Sequence, residues 1–186
     1  PPFFSGRQYN VIFGDRNELR SFSDIWEGGM PGYLIWLNAR LYEMKRVLKK
    51  TGSIYVHLDW HAVHYVKVEM DKIFGHECLR NEVVWFYENK LGTGGRVFDR
   101  RHDLILLYSR SDTWTFEEVH EEVKERKPQP VTQKIGGKRI WLRDENGKRL
   151  YAMSNPTRPV GDVWCLPIIN PVASERLGYP TQKPER

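Results

Sequence analysis

The stretch YLIWLNARLYEMKRVLKKTGSIYVHLD, residues 33–59, carries two hydrophobic periods in succession. Leu34, Leu37, Leu41, Met44 and Leu48 recur at three- and four-residue steps, which predicts the apolar stripe of an amphipathic helix. Basic residues crowd its last turn and Gly52 stops it. The segment SIYVHLD is short, β-branched and aromatic, as a buried strand is. WHAVHYVKVEMDKIFG (60–75) resumes helical spacing through Val63, Val66, Met70 and Ile73 and stops at Gly75. NEVVWFY (81–87) reads as another buried strand. Helix, strand, helix, strand is the rhythm of an α/β sheet with crossover helices.

The rest of the chain agrees with a globular protein. Its 186 residues allow one domain with a small insertion, and 40% are hydrophobic against 28% charged. No apolar run approaches the roughly 20 residues of a membrane span, and no signal peptide is visible. Cys78 and Cys165 are too few and too distant for a disulfide scaffold, so a reducing cytoplasm is the expected location. His76 beside Cys78 offers two potential metal ligands without a second pair, which is not a site.

Beyond residue 87 the rhythm breaks. ENKLGTGGRVFDRR (88–101) is a glycine-rich basic loop, and HDLILLYSR (102–110) is a further strand. Residues 112–160 do not alternate and read as an insertion. Within them GKRIWLRDENGKRLYAM (137–153) carries a hairpin signal, with Asn146-Gly147 at the turn. Arg139, Trp141 and Arg143 would then share one face, while Ile140 and Leu142 pack inward. Residues 112–122 hold five acids and no Lys or Arg, whereas 123–149 hold nine Lys/Arg against three acids. With a net charge of +5 and a pI near 9.2, this suits a polyanionic partner or, equally, a solvated surface.

The two ends carry the chemistry. The opening PPF is a donor-poor corner, because proline has no N–H to compete with the carbonyls it presents. Preceded by a carboxylate, such a corner can hold an exocyclic amine between two acceptors and localise its lone pair. The aromatic that follows offers a stacking surface to a base taken out of its helix. At the other end stands YPTQKPE, residues 179–185.

Taken together, PPF, YPTQKPE and the strand–helix–strand units between them resemble the β class of amino-group DNA methyltransferases, in which the catalytic motif precedes the cofactor-binding half. ARLYEMKRVLKKTGSIYVHLD, RNEVVWFY and RRHDLILLYSRS are similar to adenine-specific members and to type III restriction modification subunits. The resemblance implies part of a Rossmann-like, S-adenosylmethionine-dependent sheet with an inserted target recognition region. Residues 1–111 would be the catalytic half, 112–160 the insertion, and 161–186 the return toward the cofactor-binding half. It also places a catalytic Asp before Pro1 and a glycine-rich cofactor loop after Arg186. These 186 residues alone are therefore expected to be inactive.

The roles implied follow the motifs. Pro1 and Pro2 shape the catalytic corner, with the Pro1 carbonyl as second acceptor, and Phe3 stacks on the flipped base. Thr181, Gln182, Lys183 and Pro184 lie against S-adenosylmethionine, Lys183 meeting its carboxylate. Arg96, Arg100 and Arg101 contact DNA phosphates, and Arg139, Trp141 and Arg143 face DNA from the insertion. Ser5, Arg7, Tyr9 and Asn10 follow the corner near the reacting base. His57 and Asp59 end a strand at the edge where α/β sheets bind ligands, and Asp59 is read as the cap of the next helix. The expected partners are double-stranded DNA, a second copy of the chain and a restriction subunit. Adenine N6 is the first choice of acceptor and cytosine N4 the second. A non-catalytic DNA-binding fragment and an RNA methyltransferase are the competing readings.

Overall fold

The structure, a computed structural model, describes residues 1–12, 19–90, 92, 94–169, 174–175 and 182–184, with the backbone alone at 8–12 and 19–22. The chain divides into two units, Pro1–Thr115 with Asp162–Arg186, and Phe116–Gly161. In the first, β1 (Gln8–Ile12) and β2 (Leu19–Ser23) form an antiparallel ribbon. Then come α1 (Gly29–Val47), β3 (Ser53–Leu58), α2 (Val63–Phe74), β4 (Leu79–Phe86) and β5 (His102–Ser109). The second unit contributes β6 (His120–Glu122), β7 (Pro128–Pro130), β8 (Thr132–Ile135), β9 (Lys138–Trp141), β10 (Tyr151–Met153) and β11 (Thr157–Pro159). The chain returns to the first unit through β12 (Val163–Cys165).

The main sheet has the order β12-β4-β5-β3. β5 runs antiparallel to both its neighbours, and β12 runs parallel to β4. The period of two along each strand assigns two faces. Val56 and Leu58 of β3 join Leu106 and Tyr108 of β5 in one core with Leu37 and Leu41 of α1 and Val66, Met70 and Ile73 of α2. Each such aliphatic side chain contributes about 1.5–3 kcal/mol on burial, and this face holds the unit together. The opposite face carries His57, Trp85 and Asp103. The register sets His57 against Ile105 and Trp85 against Asp103, so all of them point the same way.

The α2 stripe is as the spacing predicts, with Val63, Val66, Met70 and Ile73 all buried. The α1 stripe is displaced toward the helix start. Tyr33, Leu37 and Leu41 are buried, while Leu34 is partly buried and Met44 is 45% exposed. The helix ends at Val47, where Lys45 extends its ammonium to the Ile73 carbonyl at 2.5 Å. Gly32 is required near the other end, since a Cβ there would lie 2.4 Å from the Glu27 carbonyl oxygen.

The second unit consists of three short antiparallel ribbons, β6 with β11, β7 with β10 and β8 with β9. Among the described residues none in this unit is buried. Here the expected hairpin is corrected. The Asn146-Gly147 turn forms, with the Asp144 carboxylate accepting from the N–H groups of Asn146 and Lys148. Yet only one bridge, Arg143 with Arg149, crosses it. β9 pairs instead with β8, upstream, through Gly136 and Gly137, both in the left-handed region. That glycine pair turns the chain more tightly than the longer connection around Asn146. Ile140, expected to pack inward, is 48% exposed.

Candidate active site

The proline corner sits on an aromatic floor. Tyr33, fully buried, donates its hydroxyl to the Pro2 carbonyl at 2.6 Å. Burial, with the charges of Asp24 and Asp59, pushes its phenol well above the ordinary tyrosine range, so this donor stays protonated. Trp26 meets the Tyr33 ring edge-on at 5.3 Å and Phe4 meets it at 5.6 Å. With the Pro2 carbonyl engaged, the Pro1 carbonyl is the one left without such a bond among the described residues. Pro1 itself is exposed, and Pro2 and Phe3 are half-buried.

One residue that sequence reasoning missed organises the next turn. Asp24 is 1% exposed and its carboxylate collects bonds from Phe4 N–H (3.1 Å), Ser5 N–H (2.6 Å), Ser5 Oγ–H (2.8 Å) and Trp26 Nε1–H (3.1 Å). Phe4 holds a left-handed φ of 62°, a conformation costly for a bulky side chain. Ser5, expected beside the reacting base, is tied here. The side chains of Tyr9 and Asn10 lie outside the described residues, and Arg7 is exposed.

Phe3 leads from this corner to the far face of the sheet. Its ring meets His57 edge-on at 5.2 Å, and His57 stacks on Trp85 at 5.3 Å. His57 Nε2 lies 2.9 Å from Asp103 Oδ2, which also accepts the Tyr87 hydroxyl. A carboxylate can only accept, so the histidine proton rests on Nε2. Burial raises the Asp103 carboxyl, but the bonds from His57 and Tyr87 and the charge of Lys183 outweigh it, leaving the group below the usual carboxylate range. The Tyr87 phenol is pushed up by burial and by Asp103. This cluster lies at the carboxyl ends of β3 and β4, where α/β sheets bind ligands.

Lys183 closes the same cluster. Its ammonium lies 5.0 Å from the Trp85 ring centre and 6.0 Å from that of Phe3. Burial pushes its pKa down, and the Asp103 charge opposes that shift. Phe3 and Lys183, near opposite ends of the sequence, thus come together. The intervening segment runs back along β4, where Trp85 donates its indole N–H to the Leu166 carbonyl and Asn89 bonds twice to Ile168. Gln182 donates to the Glu175 carbonyl at 2.7 Å, and Pro184 is half-buried. Thr181, with Tyr179, Pro180 and Glu185 of the motif, lies outside the described residues.

The other expected residues fall elsewhere. Asp59 does not cap α2 with its side chain: that carboxylate binds His61 N–H at 3.0 Å and His61 Nδ1 at 2.8 Å, and Ala62 stands at the cap position. The preceding turn takes the carboxylate before the helix begins. Arg100 lies over Trp60, 3.9 Å from the ring centre, Arg101 approaches Asp99 at 3.7 Å, and Arg96 is exposed. In the second unit Arg139 and Trp141 are exposed, and the Trp141 ring is covered by Arg149 at 3.8 Å. Arg143 turns back to the Gly147 carbonyl at 2.5 Å. Among the described residues no cluster of His, Cys, Asp or Glu can hold a metal ion, and no helix is long and apolar enough to cross a membrane.

Comparison with known proteins agrees with the motifs. The chain is 32% identical over 113 residues to the type II methyltransferase M.KpnI of Klebsiella pneumoniae, covering 60% of this chain and 26% of that protein. It is 25% identical over 166 residues to the type II methyltransferase M.HinfI of Haemophilus influenzae, covering 84% and 45%. It is 22% identical over 195 residues to the DNA adenine methyltransferase YhdJ of Escherichia coli, covering 100% and 55%. The chain thus spans about half or less of the length of these relatives. The family model described as DNA methylase matches residues 1–186, end to end, and the chain belongs to that family of DNA methylases.

Proposed function

We propose that this chain forms the catalytic part of a DNA methyltransferase that moves a methyl group from S-adenosylmethionine to the exocyclic amine of a flipped base, adenine N6 in the first instance. The observation that carries the reading is the approach of Lys183 to Phe3 around Trp85, which joins the two terminal motifs. On this reading the sheet is part of a Rossmann-like domain, with 1–111 as its catalytic half and 161–186 as the return to the cofactor-binding half. Residues 112–160 are the target recognition region. The partners are double-stranded DNA and, by the family resemblance, a second copy and a restriction subunit.

The residues present suit the cofactor. Trp85 offers a ring face that already accepts a cation, and Lys183 offers a positive charge to a carboxylate. Thr181, Gln182, Lys183 and Pro184 would hold it. When bound, S-adenosylmethionine supplies a methyl group activated by positively charged sulfur. The chain's own residues act on the acceptor. The Pro1 carbonyl accepts one hydrogen bond from the amine, as the second of the two acceptors that together localise its lone pair for attack on the methyl group. Phe3 stacks on the flipped base and fixes its plane, with His57 meeting the Phe3 ring edge-on and itself stacked on Trp85. Orientation of this kind supplies most of the acceleration such a transfer needs.

Tritium transfer from labelled S-adenosylmethionine to unmethylated bacterial DNA, with matched RNA alongside, tests the reading in the native protein that carries these residues. Label in DNA, recovered as N6-methyladenine after digestion, is the expected result. Label in RNA alone, or in neither, contradicts it, and N4-methylcytosine would move the acceptor while keeping the chemistry.

A further inference from the structure

The Asp24 carboxylate stands apart from the chemistry just described, yet among the described residues the groups it binds belong to the catalytic corner or brace it. A carboxylate 1% exposed is costly to bury unless its lone pairs are filled. Among the described residues four hydrogen bonds converge on its two oxygens. Oδ1 takes Phe4 N–H and Trp26 Nε1–H, and Oδ2 takes Ser5 N–H and Ser5 Oγ–H. The main chain adds two more bonds, Gly6 N–H to the Asp24 carbonyl at 3.3 Å and Asp24 N–H to the Arg7 carbonyl at 2.8 Å. Residues 4–7 are therefore laid along residue 24 by side chain and backbone together.

What this clamp secures is a conformation the local sequence opposes. Phe4 at φ 62° is unfavourable for an aromatic L-residue and persists only where its surroundings over-determine it. The paired N–H groups of Phe4 and Ser5 form an anion-binding concavity, and Asp24 is the anion that fills it. On the other side Tyr33 holds the Pro2 carbonyl, and Trp26, itself bound to Asp24, packs against Tyr33. The corner is thus gripped just after Phe3 and just below Pro2. The Phe3 ring lies between those grips and the Pro1 carbonyl just before them, and among the described residues neither is bound by Asp24 or Tyr33.

Resting on the methyltransferase reading above, we propose that Asp24 is a positioning residue for methyl transfer. Its carboxylate pre-sets the corner, so that the Pro1 carbonyl and Phe3 meet the incoming base without rearrangement. A misplacement of such groups by about 1 Å costs on the order of 100-fold in rate, so a residue far from the reacting atoms can govern the transfer step.

The test uses Asp24→Ala and Asp24→Asn in the native protein, with two separate readouts. Hydrogen exchange of the peptide covering residues 1–7 reports the corner without any need for activity. Single-turnover transfer from S-adenosylmethionine to unmethylated bacterial DNA reports function, with cofactor affinity measured by calorimetry. Expected are exchange at least roughly tenfold faster in residues 4–7, with α2 protection unchanged, and a transfer rate lower by about 10- to 100-fold. The cofactor Kd should stay within about twofold, since the clamp holds the acceptor side. Asn presents an N–H₂ to N–H donors and should not rescue. Wild-type exchange or rate in Asp24→Ala overturns the proposal. So does a parallel loss of rate, cofactor binding and α2 protection, which marks a merely structural role. Should Asp24→Ala fail to fold, Ser5→Ala and Trp26→Phe each remove one donor and leave the carboxylate. A several-fold loss of rate at unchanged cofactor Kd supports the proposal, and wild-type rates in both overturn it. A wild-type protein that transfers no methyl overturns the methyltransferase reading and the assigned role with it. The exchange data then show separately whether the clamp exists.

Discussion

Replacing Tyr33 by Phe removes one oxygen atom and leaves the ring in place. The hydroxyl is fully buried and donates to the Pro2 carbonyl at 2.6 Å, so the variant loses that bond and leaves the carbonyl short of a partner. The ring contacts with Trp26 and Phe4 survive, so no cavity is added. The cost is that of one buried hydrogen bond with its acceptor stranded, about 1–2 kcal/mol. At a urea slope of about 2 kcal/mol/M this lowers the unfolding midpoint by roughly 0.5–1 M, with the slope itself unchanged. Tyr42→Phe is the control, because Tyr42 is 57% exposed on the same helix and should shift stability by under about 0.5 kcal/mol. Equal midpoints for the two variants would refute the argument that Tyr33 anchors the corner.

Asp103 makes stability depend on acid. Its carboxyl lies below the ordinary range in the folded state, so its bonds stabilise fully above about pH 4 and are lost as pH falls through the folded value. Urea melts from pH 6 to pH 3 should show the wild type losing more stability than Asp103→Asn, and parallel curves would contradict this. Arg100→Ala should weaken DNA binding and reduce the slope of log affinity against log salt by about one, read by titration between 50 and 200 mM salt. An unchanged slope would remove Arg100 from the phosphate contacts.

The regular elements were legible because hydrophobic period reports them directly. The α2 stripe from Val63 to Ile73 and the strands around Val56 and Leu106 needed no tertiary information. The start of α1 was harder: Tyr33 is the deep end of its stripe, and its hydroxyl finds a partner only after folding. The Asn146-Gly147 turn was readable, but the pairing of β9 was not, because Gly136-Gly137 competes for the same strand. Phe3 and Lys183 were legible as motif residues, and their meeting depends on the return of the chain along β4.

Other parts of the site had no local signal. His57 and Asp103 are 46 residues apart and meet only through the β3–β5 register. Asp24 looks like any acid before an aromatic helix entry, and nothing in the sequence announces that Phe4 takes a glycine-like conformation. The aspartate two residues before Trp26, with an indole N–H in reach of its carboxylate, was the one available hint.

The measurement closest to the central claim compares methyl transfer by the wild type and by Phe3→Ala at saturating S-adenosylmethionine. Loss of one base-stacking surface is worth about 1–3 kcal/mol. The account predicts a fall of roughly tenfold or more in the transfer rate at limiting DNA, with cofactor affinity within about twofold of the wild type. Equal transfer rates would contradict it, since a base would then be held without the ring that the proline corner presents.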